Sequence, residues 1–123
     1  WRRMLDAGVI LANGSDFPVE YSNPFLGLYA SVTRQGRDGE PEGGWYADQA
    51  LSRAEALHSF TLAGAFAARQ EDRLGSLEKG KWADFIVIDR DYFTVSASEI
   101  DDSVVLETWV GGKQVYAKQV DAE

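Results

Sequence analysis

The chain has 123 residues, 45% of them hydrophobic and 26% charged, the proportions of one ordinary folded domain able to bury a core without staples. The absence of cysteine excludes disulfides and thiolate metal sites, and a formal charge of −8 argues against nucleic acid or an anionic membrane as partner. The longest apolar run, Val9–Ala12, is far short of the roughly 20 residues of a membrane span.

Trp1–Ala7 carries Met4 and Leu5 among basic residues and stops at Gly8, which predicts a short helix closed by glycine. Val9–Asn13 follows as a continuous apolar run bounded by Gly14, the pattern of a strand buried on both faces in a parallel sheet. Helix, glycine, strand and turn make half of a βα unit. Because the chain begins at Trp1 in mid-pattern, it is expected to be a piece of something longer.

All three prolines and five glycines fall between Phe17 and Gln49, a stretch long enough to be a working loop. Within it, Asn23 then Pro24 reads as an N-cap and first helical residue, and Phe25, Leu28, Tyr29 and Val32 follow on one helical face. Ser52-Arg53-Ala54-Glu55 is a capping box, and Leu57, Phe60, Thr61, Gly64, Ala65 and Ala68 continue one helix through about Gln70. Beyond Leu74 the period changes. Strands are predicted at Asp84–Asp89, Val104–Val110 and Lys113–Lys118, the last two joined through Gly111-Gly112 as a type I′ hairpin.

Asp16 is the best candidate for chemistry, since it would sit just past the carboxyl end of the Val9–Asn13 strand, where ligand and catalytic groups of α/β folds cluster. The competing role is an Asx turn or N-cap that binds nearby backbone amides. Ser15 and Ser22 lack the Gly-x-Ser-x-Gly elbow and are read as turn residues. His58, the single histidine, lies on the long helix between Leu57 and Phe60 and is read as structural or solvated, since a zinc site needs three protein ligands. Glu99-Ile100-Asp101-Asp102 lacks calcium-loop spacing and reads as a solvated turn. Asp84, Asp89 and Asp91 read as charges that keep strand ends in water.

Several segments together resemble one family. Leu11-Ala12-Asn13-Gly14-Ser15-Asp16-Phe17-Pro18-Val19 and Asn23-Pro24-Phe25-Leu26-Gly27-Leu28-Tyr29-Ala30-Ser31-Val32-Thr33-Arg34 are similar to the closing barrel segment of the amidohydrolase-3 group of metal-dependent hydrolases. Leu74-Gly75-Ser76-Leu77-Glu78-Lys79-Gly80-Lys81-Trp82-Ala83-Asp84 resembles the return into the family's small β-sandwich, and Val110-Gly111-Gly112-Lys113-Gln114-Val115-Tyr116 resembles its final hairpin.

The resemblance implies an α/β to α+β fragment. Residues 1–73 would be the last strand, active-site loop and helix of a (β/α)8 barrel, and residues 74–123 part of the accessory β-sandwich. It implies hydrolysis of a non-peptide C–N bond, amide or cyclic amide, by water activated on a divalent metal, zinc in most of the family. Asp16 would be both metal ligand and general base, and Phe17, Pro18 and Tyr21 would contact substrate, with Phe25, Trp45 and Tyr46 as further candidates at the mouth. The family's other ligands, a His-x-His pair and two later histidines, have no counterpart here. The isolated chain is therefore expected to be inactive. Its expected partners are a small-molecule substrate and further copies of itself, because a lone apolar strand exposes edges that pair. A cytoplasmic location is expected. The alternative from another class is a stand-alone, non-catalytic α+β interaction module.

Overall fold

The computed structural model describes residues 1–119, so the last four positions of the 74–123 unit lie outside the described residues. Four helices precede one three-stranded sheet. They are α1 (Arg2–Asp6), α2 (Pro24–Thr33), α3 (Arg53–Phe60) and α4 (Leu62–Ala67), followed by β1 (Phe85–Ile88), β2 (Val105–Val110) and β3 (Lys113–Ala117). No helix among the described residues is long and apolar enough to cross a membrane.

α1 ends as its sequence predicts, with Gly8 at φ +81°. The segment after it departs from expectation, for Val9–Asn13 is not a strand. A parallel strand exists only by exchanging ladder bonds with neighbours, and no described strand runs beside this one. Its backbone is held at the ends instead, by Val9 N–H on the Met4 carbonyl (3.0 Å) and Asn13 N–H on the Ser59 carbonyl (2.9 Å). Val9 and Ile10 consequently stand 43% and 52% exposed.

The Asn13 contact also explains why the predicted long helix is two helices. In an unbroken helix the Ser59 carbonyl would accept from Ala63 four residues on. Here it is committed to Asn13, Ser59 Oγ receives the Asn13 side-chain amide at 3.0 Å, and Thr61 turns out of helical geometry at φ −123°, ψ −91°. The Thr61 hydroxyl bonds back to the Leu57 carbonyl at 2.7 Å and closes the end of α3.

The predicted caps form. Asn23 Oδ1 accepts the Phe25 N–H at 3.0 Å with Pro24 in the first helical position. Ser52 and Glu55 bond reciprocally across the start of α3, and both guanidinium nitrogens of Arg2 donate to Glu55, tying α1 to α3. These donors, the Ser52 hydroxyl foremost, hold the Glu55 carboxyl below its ordinary value.

The sheet is antiparallel in the order β1-β2-β3, with Phe85 opposite Trp109 and Thr108 opposite Tyr116. The Phe85 and Trp109 rings stack at 5.6 Å. Gly111 and Gly112 both have positive φ, +58° and +75°, as the predicted turn requires. That turn is also held from outside. Gly111 N–H donates to Asp84 Oδ1 at 2.6 Å, and Gly112 N–H donates to the Ala83 carbonyl at 3.0 Å. The acidic residues flanking β1 thus do more than solvate it. Asp89 accepts from Arg90 and from the Val104 N–H, which pulls its carboxyl down to about 2, and Asp91 accepts the Phe93 N–H at 2.9 Å. Glu99 caps the turn at Ser96 and is likewise lowered, first by the Ser96 hydroxyl.

One hydrophobic cluster joins Phe25, Leu28, Tyr29, Leu51 and Ala56 to Tyr92 and Ile100, so the core draws on both sides of the 73/74 division. Arg53 bridges them with hydrogen bonds to the Tyr92 and Val95 carbonyls, and the Tyr92 hydroxyl returns one to the Arg53 carbonyl at 3.1 Å. The sheet is less covered. Ile86 is 44% exposed and every residue of β3 is exposed.

Two outcomes follow. Gly75 sits at φ +86° where a Cβ would meet Leu62 Cα at 2.7 Å and Ala65 Cβ at 2.8 Å, so Gly75→Ala should lower unfolding stability by about 1–3 kcal/mol in urea denaturation. Glu55, Glu99 and Asp89 all have carboxyls depressed in the folded state, so over acid pH the unfolded chain binds more protons than the folded one. Their stabilisation is present above their ordinary values of 4.5 and 3.8 and lost as pH falls toward about 2, so the urea midpoint should hold from pH 7 to 5 and decline below about pH 4.

Candidate functional site

Asp16 opens the turn that follows the extended segment, and its carbonyl accepts the Val19 N–H at 2.8 Å. Its backbone is left-handed, at φ +51°. Aspartate tolerates this region better than most residues because its short polar side chain can bond locally, yet the conformation still carries a cost for any side chain with a Cβ. In an Asx turn the carboxylate would accept a nearby backbone N–H. Among the described residues no donor is bonded to the Asp16 carboxylate, and the residue is exposed. The left-handed corner therefore presents an unbonded carboxylate instead of spending it on its own turn.

A cavity of about 610 Å³ reaches this corner through Ser15, and Asp16 itself does not line it. Gly14 and Ser15 form one side, Tyr21, Leu26 and Phe60 supply apolar surface, and Gln35 and Arg37 come from the loop beyond α2. Of the residues the sequence offers as substrate contacts, Tyr21 lines this cavity, whereas Phe17 and Pro18 are exposed and outside its walls. Phe25 is 4% exposed in the core and so is a packing residue. Trp45 and Tyr46 pack edge to face on each other at 4.8 Å, outside the cavity.

The sequence reading missed Leu26, Phe60, Gln35 and Arg37 as lining residues. Leu26 and Ala30 lie four residues apart, off the buried face of α2, and that spacing was the available signal. Nothing local marks Gln35 or Arg37, whose places depend on how the loop folds back.

His58 is exposed on α3 and borders a separate cavity of about 330 Å³ with Glu71, Glu78 and Lys81. Among the described residues no three histidine or carboxylate side chains come together as a metal site. Asp16 is the one residue here that the resemblance assigns to a metal. With no cluster of histidine or carboxylate side chains around it among the described residues, Asp16 alone does not make a resident metal site.

Comparison with known proteins gives consistent results. A family model described as "Amidohydrolase family" matches residues 1–116. The protein "LONG AFTER FAR-RED 3" of Arabidopsis thaliana is 34% identical over 94% of this chain, which spans 19% of that protein. An "N-substituted formamide deformylase" of Arthrobacter pascens is 34% identical over 95% of the chain and 21% of its own length. In three dimensions an amidohydrolase from Thermotoga maritima MSB8 superposes with a TM-score of 0.65 at 25% identity, covering 94% of this chain and 25% of that one. The chain thus spans about a fifth of the curated relatives it matches.

Because the Asp16 side chain bonds to none of the described residues, Asp16→Asn should shift unfolding stability by no more than about 0.5 kcal/mol, read as an unchanged urea midpoint.

Proposed function

The chain belongs to the amidohydrolase family, and from that premise we propose that it is the carboxy-terminal part of a hydrolase of non-peptide C–N bonds, in which Asp16 is the general base. The observation that carries the reading is the exposed Asp16 carboxylate, unbonded among the described residues at a left-handed corner directly after Gly14 and Ser15, which line the cavity. The relative named as an N-substituted formamide deformylase supports an amide as substrate. A cyclic amide fits the same chemistry.

Water attacks the amide carbonyl carbon and forms a C–O bond while the Asp16 carboxylate takes a proton from it. The tetrahedral intermediate then expels nitrogen. As the C–N bond breaks, the leaving nitrogen needs the proton that Asp16 holds, and an acid and an amine result. The cavity's apolar walls exclude competing water and orient the group carried on nitrogen. The divalent metal on which the family depends, zinc by resemblance, is proposed for the whole enzyme with Asp16 as one of its ligands. Phe17 and Pro18 remain proposed as contacts only for substrate portions outside the cavity. Alone, the chain supplies one carboxylate of the site and is proposed to be inactive. Its bare Val9 and Ile10 support self-association of the isolated chain.

In the full-length enzyme, Asp16→Asn should lower kcat by about 10²–10⁴, the worth of a positioned general base, with folding intact. Steady-state assay of amide hydrolysis beside thermal unfolding checks this. Unchanged turnover would remove Asp16 from the mechanism.

A further inference from the structure

Residues 35–44 form a loop whose two ends meet. Trp45 N–H donates to the Arg34 carbonyl at 2.8 Å, and Arg34 Nε donates to the Trp45 carbonyl at 3.1 Å. The guanidinium carbon lies 4.2 Å from the centre of the Trp1 ring and 5.2 Å from that of Trp45, so the cation is held between two indoles. Arginine suits this place, because a planar, weakly hydrated cation can face an aromatic ring and still donate in its own plane. Arg34 itself is left-handed, at φ +61°, in the capping position of α2, where glycine is the usual occupant. The neck is tight. At Gly44 a Cβ would come within 2.3 Å of the Thr33 carbonyl oxygen.

Inside the loop, Gly36 N–H bonds to the Glu40 carbonyl at 2.8 Å and Gln35 Nε2 to the Pro41 carbonyl at 3.2 Å, so the loop is bonded across itself above its neck. Beyond the neck, the ion pair that ties the loop to the rest of the described residues is Arg37 to Asp101, at 3.7 Å with the arginine 67% and the aspartate 11% exposed, a pair of modest strength. Yet Gln35, Gly36 and Arg37 line the cavity together with Gly14 and Ser15. A wall that faces the site and is fastened chiefly at one end takes its position from that end.

We propose that Arg34, held against Trp1 and Trp45, is a positioning residue that fixes the 35–44 loop as the polar wall of the cavity, so that a bulky apolar group on the substrate nitrogen is confined to the Tyr21, Leu26 and Phe60 surfaces. The substrate half of this proposal rests on the hydrolase reading above, while the clamp stands on the geometry alone. A cavity of about 610 Å³ is far larger than a one-carbon acyl group needs, and its Tyr21, Leu26 and Phe60 surfaces suit an apolar substituent.

The test uses Arg34→Met and Arg34→Lys in the full-length protein. Tryptic cleavage after Arg37, followed by mass spectrometry, should be at least about tenfold faster in the methionine variant and intermediate in the lysine variant, with melting temperatures within a few degrees of the parent. Hydrolysis of N-cyclohexylformamide should show KM raised several-fold in Arg34→Met with kcat within about twofold, and N-methylformamide should show no such change. Equal cleavage rates in all three proteins would overturn the clamp, whatever the enzyme hydrolyses. Faster cleavage with an unchanged KM, or with kcat falling for both formamides, would overturn the substrate half. Failure of the parent to hydrolyse either formamide overturns that half too, and the cleavage rates still decide the clamp. Loss of turnover in Asp16→Asn tests the hydrolase reading separately.

Discussion

Asn13 reaches across to the end of α3 and takes the Ser59 carbonyl with its backbone and the Ser59 hydroxyl with its side chain. That single clasp has three effects. It diverts a carbonyl that would otherwise extend the helix, so α3 stops and Thr61 swings the chain into α4. It anchors the extended segment that lacks strand partners. It also fixes the residue three places ahead of Asp16, so the free carboxylate is presented from a held base and not from a drifting loop. A buried hydrogen bond contributes only about 1 kcal/mol net, and its larger effect here is to choose between two backbone paths.

A second device makes one body of what the sequence divides. Arg53 stands in the first turn of α3, and its guanidinium serves carbonyls at Tyr92 and Val95, far along the chain. The Tyr92 ring is buried with Ile100 against Phe25 and Leu28, and burial pushes its hydroxyl pKa upward. The helical part beside the cavity and the part carrying the sheet therefore share packing. Ile100, which has no exposed surface, belongs to the same cluster as Phe25 and Leu28 of α2, whose Leu26 and Ala30 border the cavity.

What could be read from sequence was what depends on local physics. The Asn23 and Ser52 caps, the glycine end of α1, the three short strands and the glycine hairpin each follow from the conformational needs of a few adjacent residues. The readings that failed depended on distant ones. Val9–Asn13 has the composition of a buried strand, but a strand is a relation between backbones, and none of the described strands pairs with it. The long helix met its pattern at every apolar position and was broken by Asn13, over forty residues earlier in the chain. Asp16 stood out as a candidate because a carboxylate in a small-residue turn is conspicuous. Gln35 and Arg37 were not, because their approach to the cavity is settled by a neck formed between Arg34 and Trp45.

The tether from Asp84 and Ala83 onto the two turn glycines has a wider result. A sheet this small, with β3 bare to solvent, has little apolar burial to tell one alignment of its strands from the next. Sliding β2 by a single residue would turn each of its side chains to the opposite face, and packing alone would barely resist it. By gripping the apex of the hairpin from the root of β1, the chain counts its residues from a fixed mark, and three lightly covered strands keep one alignment.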